Sequence, residues 1–99
     1  MSYQFHPDAF DEHRDSVAFY QQRLPGLGAD YIAEFEAVMA RVCRTPNSYP
    51  TIAVPDIHRA GLKRFPFHVI YRAMPTQITV LAVAHQRRRP GYWMKRAAK

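Results

Sequence analysis

No acidic residue follows Asp56 in this chain of 99 residues. Residues 1–56 hold all eight acids (Asp8, Asp11, Glu12, Asp15, Asp30, Glu34, Glu36, Asp56) against four arginines (Arg14, Arg23, Arg41, Arg44), a net charge of −4. Residues 57–99 hold ten bases (Arg59, Lys63, Arg64, Arg72, Arg87, Arg88, Arg89, Lys95, Arg96, Lys99), a net charge of +10, which brings the whole chain to +6. Such a division predicts one strongly cationic region. It should attract nucleic acid, a machine that handles nucleic acid, or an acidic protein. Cysteine is nearly absent too. Cys43 stands alone, which excludes an internal disulfide and a cysteine-built zinc site and suits a reducing compartment. No apolar run approaches the length that spans a bilayer. The start, MSYQFHPDAF, lacks the basic and apolar regions of a signal peptide. His6, His13, His58, His68 and His85 have no metal-ligand spacing, and no Gly-rich phosphate loop occurs. The expectation is a small, basic, cytoplasmic protein that acts by binding, with no metal and no cofactor.

What is present reads as one α+β domain over residues 1–99. Tyr3-Gln4-Phe5 alternates as a short strand does. Pro7 then fixes a backbone angle suited to a first helical turn, and Asp8, Asp11 and Glu12 follow where the helix dipole favours negative charge. Ala9, Ser16, Phe19/Tyr20 and Leu24 recur at helical spacing, so a helix is expected over 7–23. Pro25-Gly26-Leu27-Gly28 breaks it. A second helix is expected over 28–44, with Tyr31, Ile32, Phe35, Val38, Met39 and Val42 on one face. Arg41 and Arg44 suit its end, and Thr45-Pro46-Asn47 stops it. Helices this closely joined form an αα-hairpin.

The second half changes period. Ile57–Lys63, Phe67–Ala73 and Gln77–His85 are rich in β-branched and aromatic residues and are separated by Phe65-Pro66 and Met74-Pro75-Thr76. Short connections make neighbouring strands antiparallel. Both alternating faces of Gln77–His85 are apolar, which suits the central strand. Pro90-Gly91 ends the sheet, and Tyr92–Ala97 suits a last helical turn. The expected order is β-α-α-β-β-β, with the sheet packed on the hairpin. The cationic surface then falls on the open face or edge of the sheet and on the tail. The acidic helices argue against a helix-turn-helix reader of DNA.

The densest chemistry is His85-Gln86-Arg87-Arg88-Arg89-Pro90-Gly91-Tyr92-Trp93, at the end of the last strand. Guanidinium forks bind phosphate oxygens, and aromatic rings stack on bases. The plainer alternative is that Arg88 and Arg89 are solvated and Trp93 packs in a core. A second group is Arg59, Lys63, Arg64, His68 and Arg72. Alternation puts Arg59, Gly61 and Lys63 on one face. Ser16 and Ser48 have nothing near in sequence to activate them. RNA cleavage here would be metal-independent and would draw on His68, His85, Arg87 and Tyr92 for acid–base and electrostatic roles.

These blocks, in this order, resemble the RelE/ParE superfamily of toxins from bacterial type II toxin–antitoxin systems. The resemblance rests on FHPDAFDEHRDSVAFYQQRLPGLG, RTPNSYP, HRAGLKRFPFHVIYR and VLAVAHQRRRPGYW, and covers nearly the whole chain. It implies a helical hairpin on a small antiparallel sheet, and a cognate antitoxin that wraps a segment, often acidic, around the toxin in a hetero-oligomer. It also implies one of two activities. RelE-like members are ribosome-dependent mRNA endonucleases. Their strand arginine falls here on His68, their arginine after the last strand on Arg87, and their catalytic tyrosine on Trp93, with Tyr92 one place away. Their two sheet lysines fall on Arg59 and Gly61. ParE-like members lack that set and poison DNA gyrase without hydrolysis. FPFHVIYR with HQRRRPGYW is more similar to that side, with Lys63, Arg64, Arg72, Arg87, Arg88 and Arg89 as candidate target-binding residues. A basic interaction protein without toxicity is the third reading.

Overall fold

The computed structural model describes residues 1–98. Strand β1 (Ser2–Phe5) leads into helix α1 (Pro7–Arg23) and helix α2 (Leu27–Arg44). A short 3-10 turn (Pro46–Ser48) follows, then β2 (Thr51–Ala53), β3 (Ile57–Gly61), β4 (Phe67–Ala73) and β5 (Gln77–His85). A 3-10 segment, Met94–Ala98, comes last. The hairpin lies on one face of a five-stranded sheet ordered β1-β5-β4-β3-β2. The β3–β4 and β4–β5 pairs are antiparallel, as the short connections require, while β1 joins β5 in parallel. β5 is an interior strand, but β4 is the middle one of the five.

Helix α1 begins where His6 accepts the Asp8 amide on its Nδ1 at 3.1 Å, with Pro7 in the first position. The connection to α2 turns on Gly26, whose φ of 95° lies in the left-handed region. Gly28 is buried where the helices meet. A Cβ there would lie 3.0 Å from the Val17 carbonyl and from Gln21, whose Oε1 receives the Gly26 and Gly28 amides. The helix-side core holds Tyr31, Phe35, Val38, Met39 and Val42 of α2 against Val69, Tyr71, Ile78, Val80 and Val83 of the sheet. Ile32, expected on that face, is 40% exposed. On α1 the expected stripe is inward at Ala9, Ser16 and Tyr20, the last packed against the core, and outward at its remaining members. Phe19 and Leu24 are exposed, while Ala9 and Ser16 are buried. Glu12 and His13 are only partly accessible. The helix has the expected bounds, but its inward face is partly polar, so apolar periodicity alone did not show that Glu12 and His13 turn inward.

Two features of the sheet were not expected. β2 adds an edge strand on β3, where the sequence between Thr51 and Ala53 has too few residues to show a period. A bulge in β5 sets Ile70 opposite Ala82 and Tyr71 opposite Val80. One extra residue reverses the alternation beyond it. Ile78, Val80 and Val83 therefore face the helices, while Leu81, Ala82 and Ala84 join Ile57, Ile70 and Trp93 in a second apolar cluster on the opposite face. β3 ends at Gly61, so the face expected to join Arg59 to Lys63 stops short of Lys63.

His13 is enclosed by aromatic rings, with Phe35 at 4.3 Å and Phe5 at 5.3 Å between centroids. Burial lowers its pKa from the ordinary 6.5, and the Glu36 charge offsets this only in part. The folded state therefore holds His13 neutral, whereas the unfolded chain takes a proton below about 6.5. The stabilisation is complete above that pH and is lost as the pH falls toward the lowered folded value. Urea midpoints measured across that range should fall more steeply for the wild type than for His13→Leu. Equal slopes would show that His13 carries no such linkage.

Candidate binding groove on the open face of the sheet

The outer edge of β5 determines how the C-terminal segment sits. β1 pairs with β5 only as far as Phe5 opposite Val80, and the His6 amide donates to the Val80 carbonyl at 2.8 Å. Beyond that point side chains take over. Glu12 Oε1 accepts the Val83 amide at 3.0 Å. Arg96 Nη1 donates to the Leu81 carbonyl at 3.0 Å. Arg96 also forms a bidentate fork with Glu12, Nη1 to Oε1 and Nη2 to Oε2, both at 3.0 Å. Asp8 lies 3.8 Å from its Nε. The Glu12 and Arg96 side chains are only 17% and 14% exposed, so water screens the pair weakly. Tyr92 completes the lock by donating its hydroxyl to Glu12 Oε2 at 2.9 Å. Its ring carries the Arg88 guanidinium at 3.8 Å and that of Arg96 at 5.0 Å.

This lock holds the chain from Arg88 to Ala98 across the open face, and Trp93, 6% exposed, packs on Ile57, Ile70, Leu81, Ala82 and Ala84. Between that segment and strands β2 to β4 lies a groove of about 490 Å³. Ile52, Ile70, Ala84 and Trp93 supply apolar lining. Arg59, Arg88 and Arg89 supply charge, and His68, His85 and Tyr92 also line it. Arg59 and Arg89 are exposed and have no ion pair or side-chain hydrogen bond among the described residues. His68 projects from β4 opposite Gly61 of β3, close enough that a Cβ there would be in ordinary contact with the imidazole at 3.5 Å. Burial and then the Arg59 charge lower the His68 pKa, so the ring is neutral at pH 7. Its Nδ1 is buried with no partner among the described residues. Burial, with the hydrogen bond and charge of Glu12, pushes the Tyr92 phenol up to about 12. A phenol so held is a poor proton donor or acceptor at neutral pH.

Seven of the sequence-derived candidates thus meet in one groove: Arg59, His68, His85, Arg88, Arg89, Tyr92 and Trp93. His85 sits at the strand end, its ring edge-on to Phe67 at 5.1 Å, and its Nδ1 accepts the Arg87 amide at 3.0 Å. The remaining candidates lie elsewhere. Arg87 does not line the groove. Lys63 and Arg64 occupy the β3–β4 turn, where Glu34 of α2 accepts both backbone amides. Arg64 also pairs with Asp30 at 3.6 Å and stacks over Phe65. Arg72 is tied to Asp56 at 3.3 Å. Three of the ten late bases are therefore partnered by the acids of the first half, and Arg96 belongs to a buried pair rather than to the cationic surface. Lys99 lies outside the described residues. Among the described residues no cluster of three His, Cys, Asp or Glu could hold a metal, and no helix is long and apolar enough to cross a membrane.

Glu12, Arg96 and Ile52 are the residues that sequence reasoning passed over. Glu12 carried a signal, because it stands three residues after buried Ala9 and four before buried Ser16, on the inward face of α1. A carboxylate there requires a buried partner. Nothing local pointed to Arg96 as that partner.

The helical hairpin on a five-stranded sheet, with the opposite face partly roofed by the C-terminal segment, defines an α+β fold of the kind the sequence resemblance implied. A chain of the chromosomal ParDE TA system from P. aeruginosa has this fold, with a TM-score of 0.73 over 86% of this chain and 95% of that one, at 17% identity. No family model matches the sequence. No curated protein matches it either.

Replacing Glu12 by Gln should remove one ionic partner and leave the Arg96 charge poorly shielded from its own burial. The expected loss is about 2–4 kcal/mol in urea unfolding, with Trp93 emission shifted to the red as the segment lifts. Wild-type stability and emission in that variant would show that the pair holds nothing in place.

Proposed function

We propose that the chain is the toxin of a type II toxin–antitoxin pair, and that it arrests growth by poisoning DNA gyrase as a non-hydrolytic inhibitor. A cognate antitoxin neutralises it in a hetero-oligomer in the cytoplasm. The observation that carries this reading is the shared fold with a chain of a ParDE system over nearly the whole length of both chains. The groove supports the non-hydrolytic branch. The Tyr92 hydroxyl, which a nuclease would need to be free, is bound to Glu12, and Trp93 is buried against the sheet. What the groove offers a target is unpaired arginine over an apolar floor.

One observation favours a second reading, a ribosome-dependent mRNA endonuclease. His68, which lines the groove beside Arg59, has its pKa lowered by burial and by that charge, as a general base next to a phosphate clamp would.

Purified protein incubated with gyrase, DNA and ATP should accumulate cleaved complex or abolish supercoiling, and co-expression with the antitoxin should restore growth. Unaffected supercoiling at excess protein would remove gyrase as the target. Codon-phased cuts in translated mRNA after induction would then select the nuclease. Unimpaired growth on expression without the antitoxin would leave only a basic interaction protein.

A further inference from the structure

We infer that the open-face groove is a docking site for an extended acidic segment of the inhibited target protein, one that presents a carboxylate beside an aliphatic side chain. The inference rests on the reading of the chain as a protein-directed inhibitor.

Charge is the first support. Arg59 stands on β3 at one wall, and Arg88 and Arg89 stand in the C-terminal segment at the other. No acid is paired with any of them among the described residues, although Arg64, Arg72 and Arg96 have each found one. Arg88 is anchored over the Tyr92 ring, so its guanidinium is pre-positioned rather than free to wander. A carboxylate entering between these walls gains charge-assisted hydrogen bonds from groups already in place.

The floor is the second. Ile52, Ile70 and Ala84 lie with Trp93 between the charged walls, and Ile52 is exposed. An aliphatic side chain next to the carboxylate would cover them. Segments of alternating acidic and aliphatic residues present such groups along an extended backbone.

The aromatic rings decide against a nucleic-acid occupant. Single-stranded RNA or DNA binding draws on open aromatic faces for base stacking. Here the Tyr92 ring already carries two guanidiniums, and Trp93 is packed on the sheet. Read in sequence, RRRPGYW combines phosphate clamps with stacking platforms. Folded, it retains the clamps and withdraws the platforms.

A target segment is preferred to the wrapping antitoxin because the hairpin offers the antitoxin another exposed apolar surface. Phe10, Leu24 and Ile32 of the hairpin are exposed, and none of them lines the groove.

Trp93 is the only tryptophan and lines the groove, so its emission reports occupancy. A synthetic peptide alternating Glu and Leu should shift that emission saturably. The Arg59→Gln/Arg89→Gln double variant, folded by circular dichroism, should bind it at least about tenfold more weakly, as expected for lost charge-assisted bonds. Oligouridylate of matching charge should bind only weakly, without the shift. An oligouridylate-induced shift that the double variant abolishes, or no shift with the peptide, overturns the proposal. Supercoiling assays separate it from the gyrase reading, since the peptide result stands or falls without gyrase. Where the wild type does inhibit gyrase, the double variant should lose inhibition and still co-purify with the antitoxin. Retained inhibition with lost antitoxin capture would also overturn it.

Discussion

The paired carboxylate and guanidinium of Glu12 and Arg96 are the contact on which the groove-bearing face depends. A strand edge presents amides and carbonyls that need partners. β1 supplies them to β5 only through Val80, and the bulge next to that point alters the spacing of what remains. A bidentate ion pair closes the gap, with Glu12 taking the Val83 amide and Arg96 giving to the Leu81 carbonyl. Each charged group satisfies the other and a backbone group of the sheet as well. This full hydrogen bonding is the condition under which a pair withdrawn from water is tolerated.

Several consequences share that origin. Because one half of the pair comes from the first helix and the other from the last segment, the chain's two ends are tied at one point. Tyr92 is bound to the same carboxylate, which orients its ring, and the ring in turn seats Arg88. Trp93 is brought down on the second apolar cluster. The groove is therefore assembled by the lock, one wall from the sheet and the other from the segment. Its charge is among what remains after the acids of the first half have found their partners. Asp30 and Glu34 hold the β3–β4 turn, Asp56 holds Arg72, and Asp8 and Glu12 hold Arg96, which leaves Arg59, Arg88 and Arg89 together over an apolar floor.

Both helices, with bounds at Pro7, Arg23 and Arg44, and the strands Phe67–Ala73 and Gln77–His85 were legible because each is long and closed by proline, glycine or a change of period. Thr51–Ala53 was not, since three residues carry no period and pair only through tertiary contact. The bulge was not legible either. Gln77–His85 is apolar on both faces, so inserting one residue leaves no mark in its hydrophobic pattern. The charge division at Asp56 was plain in the sequence, but its meaning changed on folding. Three of the ten late bases are paired with acids of the first half, and Arg59, Arg88 and Arg89 line the open groove. RRRPGYW was recognised as the densest chemistry, yet local composition could not say that its aromatics would face inward while two of its arginines faced the groove.

The central claim is that side chains, rather than a strand, seal β5 beyond Val80 and thereby hold the C-terminal segment in place. Hydrogen exchange at the Val83 amide tests it most directly. In the wild type that amide should exchange as slowly as its neighbours in the β4–β5 ladder, and in Arg96→Met it should exchange faster while the ladder amides of the paired His68 and Ala84 stay protected. An unprotected Val83 amide in the wild type, or one indifferent to Arg96, would contradict the account.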